Sequence, residues 1–174
     1  MFLAVNELEL RKVPFDVSFA PGKLDLLDKT LDLKEPLAVK GSAELAGVLD
    51  EIRVRGHIRG RLQCECDLCL EAFDIPVDGD FSLSYRPAES LEEASEVEIA
   101  GEETDIGFYE GAGIELADVV REQVLLWLPM QRTCRADCKG ICPQCGRNRN
   151  TGDCGCQKPH LDERWAALQK LTGD

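Results

Sequence analysis

Residues 52–66 read IRVRGHIRGRLQCEC. Ile52, Val54, Ile58, Leu62, Cys64 and Cys66 hold the even positions, and Arg53, Arg55, His57, Arg59 and Arg61 hold the odd ones. Successive side chains of a β-strand point to opposite faces. The stretch therefore predicts a strand with one apolar face and one face of arginines and a histidine.

The same period recurs on both sides. Phe73, Ile75 and Val77 alternate, then Phe81, Leu83 and Tyr85. Upstream, Val13, Phe15, Val17 and Phe19 alternate until Pro21-Gly22 ends the run with a turn signal. Residues 36–49 fit one or two further strands, with Gly41 and Gly47 as bulge or turn points. Closely spaced alternating runs of this kind predict an antiparallel sheet with one solvated face.

Beyond residue 113 the period changes. Ile114, Ala117, Val120, Val124, Leu125 and Leu128 recur at helical spacing, and Pro129 stops the run. A second, short helix is expected at 161–171. Leu161, Trp165, Leu168 and Leu171 would share one face, with Asp162 and Glu163 at its positive end. The fold class is thus α+β: an antiparallel β-sheet, one long helix and a cysteine-rich zinc-knuckle C-terminal segment. Residues 1–130 are expected as an α+β core domain. Residues 131–174 are expected as a cysteine-rich metal-binding tail ending in the short helix.

A hydrophobic fraction of 44% over 174 residues is enough for a real core. The net charge of −13 disfavours indiscriminate coating of nucleic acid, so only a local basic patch could meet phosphate. The opening MFLAVNELELRK has no basic start, no long apolar run and no small-residue cleavage site. Nor does any stretch approach the roughly 18 apolar residues of a membrane span. A cytoplasmic location without membrane partners is the expectation. Residues 87–119 hold eleven acids and neither lysine nor arginine, and their first part is expected as a solvated acidic loop.

Nine cysteines in a reducing compartment point to metal rather than disulfides. Cys142-Pro143-Gln144-Cys145-Gly146 is a knuckle: two thiolates two residues apart in a tight turn whose N–H groups stabilise their charge. Cys154 and Cys156 follow, and these four thiolates can close a tetrahedral Zn2+ site with Zn–S bonds of roughly 2.3 Å. Cys134 and Cys138 precede the knuckle, and Cys66-Asp67-Leu68-Cys69 ends the basic strand. Those four are candidates for a second site that would tie the tail to the sheet, so one or two ions are expected. Cys64 has the parity of the apolar face and fits a packed free thiol. An iron–sulfur cluster would also use four thiolates. His160 could replace one ligand, although it equally fits a surface position. A redox role for a CxxC pair needs a thioredoxin-like βαβ setting, which the pattern lacks.

An all-cysteine set leaves no open coordination position, which marks a structural site. There is no Gly-rich phosphate loop, nucleophile elbow or paired-histidine helix. No enzymatic activity and no catalytic residue are expected.

Two basic features stand out from the acidic background. One is the strand face of Arg53, Arg55, His57, Arg59 and Arg61. The other is the metal segment, where Arg132, Arg135, Lys139, Arg147 and Arg149 are interrupted by one acid, Asp137. Asn148 and Asn150 add amides. Arg53, Arg55, Arg59, Arg61, Arg147 and Arg149 are the candidate RNA-binding residues, because the guanidinium fork suits phosphate. The competing readings are a solvated sheet face, and cations that offset thiolate charge.

Three blocks together resemble the YceD family of large ribosomal RNA subunit accumulation proteins. They are Cys66-Asp67-Leu68-Cys69-Leu70-Glu71-Ala72-Phe73, the helix end Leu125-Leu126-Trp127-Leu128-Pro129, and Cys138-Lys139-Gly140-Ile141-Cys142-Pro143-Gln144-Cys145-Gly146-Arg147-Asn148 followed by Cys154-Gly155-Cys156. The chain departs from the family pattern at Asp67-Leu68, where an arginine is usual. The resemblance implies a bacterial or plastid protein needed for synthesis, processing or stability of the large-subunit RNA, and carries over no catalytic residue. A non-enzymatic factor in ribosome biogenesis is therefore the expected function. Its partner would be ribosomal RNA or a large-subunit precursor, met directly or through protein. Two other readings remain open. One is an adaptor with a structural zinc site whose acidic segment docks a basic ribosomal protein. The other is a redox or metal-sensing switch.

Overall fold

Alternation sets the architecture. The computed structural model describes residues 1–47, 50–91 and 106–156. Among the described residues are eight strands: β1 (Phe2–Ala4), β2 (Val13–Phe19), β3 (Leu31–Leu33), β4 (Leu37–Ala46), β5 (Glu51–Glu65), β6 (Ala72–Pro87), β7 (Ile106–Tyr109) and β8 (Gly113–Glu115). Two helices join them, α1 (Val5–Leu8) and α2 (Leu116–Trp127), with a short 3-10 turn at Ala88–Leu91. The main sheet has the order β2-β4-β5-β6-β7, and β3 also pairs with β5. β1 and β8 form a separate two-stranded ribbon.

The sheet is mixed: β7 runs parallel to β6, and the other ladders are antiparallel. The runs at 73–77 and 81–85, separate in the sequence pattern, belong to the single strand β6. Residues 36–49 contribute one strand, β4, with Gly41 inside it and Gly47 in the following turn at φ 79°. α2 is twelve residues, an ordinary length for a globular helix. The expected helix at 161–171, His160 and much of the acidic segment lie outside the described residues.

β5 divides as its pattern requires. Ile52, Val54, Ile58, Leu62, Cys64 and Cys66 are buried, while the arginine set faces outward. α2 covers the inner face with Leu116, Val119, Val120 and Val124, completing one apolar core. At the centre, Gly41 faces Gly56 across the β4–β5 ladder, with Phe15 over the first glycine and Phe81 over the second. A Cβ on Gly41 would lie 2.2 Å from the Arg55 carbonyl oxygen, so the neighbouring backbone leaves no room for a side chain there. Among the described residues, no helix is long and apolar enough to cross a membrane.

Candidate metal centres

The β5–β6 hairpin carries the first centre at its tip. Its turn is Cys66 to Glu71, closed by the Leu70 N–H donating to the Cys66 carbonyl (2.9 Å) and the Cys66 N–H donating to the Glu71 carbonyl (2.9 Å). Leu70 takes a left-handed conformation, φ 62°, to make the bend. Cys66 and Cys69 are buried there, and Cys134 and Cys138 arrive from the segment after α2. The four sulfurs lie within 4.8 Å of one another. Cys66 Sγ is 3.8 Å from Cys138 Sγ, and Cys69 Sγ is 3.7 Å from Cys134 Sγ. Four sulfurs each about 2.3 Å from one ion at tetrahedral angles stand about 3.8 Å apart. Those contacts are far longer than the roughly 2.05 Å of a disulfide. The cluster could therefore hold one metal ion.

Backbone groups favour the thiolate form. Burial pushes the Cys66 thiol up, but N–H groups of Cys134, Cys69 and Leu68 outweigh it and bring the group down to about 6. Cys134 goes the other way, to about 12, through burial and its crowding against the other three sulfurs. The Cys134 direction reflects negative charge crowded among neighbouring sulfurs, which a cation would relieve.

Cys142, Cys145, Cys154 and Cys156 form a second group within the same mutual distance. It is more open: Cys142 is buried, whereas Cys145 and Cys156 are exposed. The Ile141–Asn148 bridge fixes its loop, together with Cys142 N–H to Arg147 carbonyl (2.8 Å) and Gly146 N–H to Cys142 carbonyl (2.8 Å). Backbone N–H groups of Cys145 and Gln144 bring Cys142 down to about 6. Cys64 joins neither group and packs in the core at 1% exposure.

Five hydrogen bonds lock the tail to the sheet and its hairpin tip, none of them marked by a local sequence signal. Arg132 donates to Asp28 (3.0 Å) and Thr30 (3.1 Å), about a hundred positions away. Arg132 N–H donates to the Asp67 carboxylate (2.6 Å), and Asp67 N–H returns a bond to the Arg132 carbonyl (2.8 Å). Ile141 N–H donates to the Leu68 carbonyl (2.9 Å). Between the clusters, Asn150 accepts from the Lys139 N–H (2.8 Å) and donates to Cys138 Sγ (3.3 Å).

The candidate RNA-binding residues fall into two environments. On the strand face, Arg53 pairs with Glu51 (3.2 Å) and Arg59 with Asp78 (3.5 Å), while Arg61 lies 3.9 Å from Glu35. Arg55 donates to the Ser82 hydroxyl (3.3 Å), and His57 sits between Asp78 and Asp80. On the knuckle, Lys139, Arg147 and Arg149 are exposed, and none has a carboxylate partner among the described residues. Arg135 there pairs with Asp137 (3.3 Å).

A family profile described as large ribosomal RNA subunit accumulation protein YceD matches residues 54–172, a span that includes both cysteine groups. An uncharacterized protein of Mycobacterium tuberculosis is 29% identical over 126 residues, 72% of this chain and 58% of the relative. The uncharacterized protein YlbN of Bacillus subtilis is 25% identical over 168 residues, 96% of this chain and 92% of the relative. The chloroplastic YCED homolog 1 of Arabidopsis thaliana, named a large ribosomal RNA subunit accumulation protein, is 24% identical over 192 residues, 96% of this chain and 60% of the relative. This chain thus spans less than two thirds of the mycobacterial and plant relatives' length. No solved structure matches it.

Proposed function

The chain belongs to the YceD family, and from that premise we propose that it supports accumulation of large-subunit ribosomal RNA as a non-enzymatic factor whose metal-clamped tail contacts the RNA or a precursor particle. The observation that carries the contact is the set of three exposed cations on the knuckle, Lys139, Arg147 and Arg149, without acid partners among the described residues. A cation already paired in its own fold must give up that partner to take a phosphate, so the strand arginines are the weaker candidates. The knuckle cations give up nothing, and their backbones are pinned by the Ile141–Asn148 bridge.

Zinc is the proposed ion in both centres. All-thiolate tetrahedral sets suit it, and in the first centre sulfur contacts near 3.8 Å suit one ion rather than a cluster of several irons. Four protein ligands leave no position for substrate, in keeping with a structural role.

The test is RNA binding by the full, zinc-loaded chain, with sedimentation of cell extracts as the second readout. Replacing Lys139, Arg147 and Arg149 together by alanine is expected to weaken binding at least about tenfold. The slope of log affinity against log salt should fall by about 2, as three lost contacts to single-stranded phosphates require. Zinc content should not change. Equal affinity and equal salt slope in wild type and variant would remove the knuckle from the reading. Failure of the wild-type protein to sediment with large-subunit precursors would remove the reading itself.

A further inference from the structure

β6 is longer than its outer neighbour. β5 pairs with it from Ala72 to Tyr85, but β7 covers only Ser84–Pro87. Among the described residues, 72–83 therefore have no strand on the second edge. Pro76 lies in that stretch. A proline is tolerated in a paired strand when its nitrogen faces the open side. Alternate residues of a strand turn their N–H and C=O groups the same way, so Asp78, Asp80 and Ser82 present theirs to the open edge as well.

Beside this edge α2 leaves a groove. At one end Trp127 and Leu128 stand against Ile75, Val77 and Gly79, with Trp127 so close that a Cβ on Gly79 would meet its ring at 3.1 Å. At the other end, a cavity of about 510 Å3 lies between Phe81, Leu83 and Tyr85 on β6 and Gln123 and Leu126 on α2. The two parts meet at Asp80. Leu126 is 69% exposed, a large apolar side chain without cover. Gln123, 8% exposed, lines the groove beside Leu126.

The charges lining the groove have one sign: Asp78, Asp80 and Glu122. Asp78 and Asp80 contact His57, and Asp78 also Arg59, on the outward face, but the Asp80 side chain remains 91% exposed.

We propose that the open edge of β6 and the adjoining face of α2 form a docking groove for an extended polypeptide segment that alternates apolar and basic residues and binds as an added strand. Main-chain bonds would run to Asp78, Asp80 and Ser82. One side of the segment would face Leu126 and Trp127, and the other would set its cations beside Asp78 and Asp80. A second copy fits poorly, because pairing two β6 edges sets one row of aspartates against another. The surface is separate from the knuckle and stands without the RNA reading.

Fluorescence anisotropy with the full, zinc-loaded chain tests it. The probe is a labelled peptide of about eight residues alternating Ile and Lys. Controls are the Ile/Glu version and a shuffled Ile/Lys version. The alternating basic peptide should bind about tenfold or more tighter than either control. Leu126→Glu and Asp80→Lys, both at exposed positions, should each weaken it about tenfold. Circular dichroism and zinc content should stay unchanged, and the amides of Asp78, Asp80 and Ser82 should gain protection from hydrogen exchange. Equal binding of the shuffled peptide, no binding, or indifference to Leu126→Glu would overturn the proposal. So would a wild-type dimer that Leu126→Glu dissolves, or RNA binding that Leu126→Glu abolishes.

Discussion

One amide ties the two sulfur groups together. Asn150 accepts the Lys139 N–H and donates to Cys138 Sγ, so it orients a ligand of the first group from within the second. Residues that hold a metal ligand in place commonly change affinity 10–100-fold. Asn150→Ala should lower the first centre's zinc affinity by about that factor in competition with a chelator, with the second centre changed less. Glu51 makes a second residue-scale case. Burial pushes its carboxyl up from the ordinary 4.5, but hydrogen bonds from Arg86, Ser84 and Arg53 outweigh that and hold it lower. A depressed acid stabilises the fold above its unfolded value and loses that contribution as pH falls through the folded value. Glu51→Gln should therefore lower stability by about 1–2 kcal/mol at neutral pH. Thermal melts of the two proteins should converge as the pH falls through the lowered Glu51 value.

At the scale of elements, the sheet centre depends on two missing side chains. Gly41→Ala would put a methyl group against backbone, which cannot swing aside as a side chain can. The expected loss is about 3 kcal/mol, read as a Tm lower by about 6–12 °C. The long strands were legible because a half-buried strand writes its two faces as alternation, and β2, β5 and β6 do so over many residues. β1, β3 and β8 are three residues each, too short for any period to show. β7 was hidden for another reason: it follows an acidic stretch and pairs in parallel with a strand about twenty positions back. The cysteines showed their chemistry but not their partners' geometry. A two-residue spacing tells which pair can share an ion, while Arg132, Asp28 and Thr30, which dock the tail, meet only after the sheet has formed.

For the molecule as a whole, the two centres have different tasks. Cys66→Ser/Cys69→Ser and Cys142→Ser/Cys145→Ser should each reduce zinc from two ions per chain to one by mass spectrometry. Only the first pair should free the tail. Arg132, whose side chain is 19% exposed in its lock, should then become a fast trypsin site, and in the second variant it should stay slow. The reason lies in how far apart along the chain the ligands stand. Cys69 and Cys134 are 65 positions apart, whereas Cys142 and Cys154 are twelve apart. An ion joining distant residues removes more freedom from the unfolded chain, and the logarithm of the two loop lengths puts the difference at about 1.5 kcal/mol. With an ion bound, the β5–β6 tip would act as a long-range staple and the second centre as a local one. Metal starvation should consequently separate the tail from the sheet before it melts the strands, leaving a protein with an intact body and a detached hand.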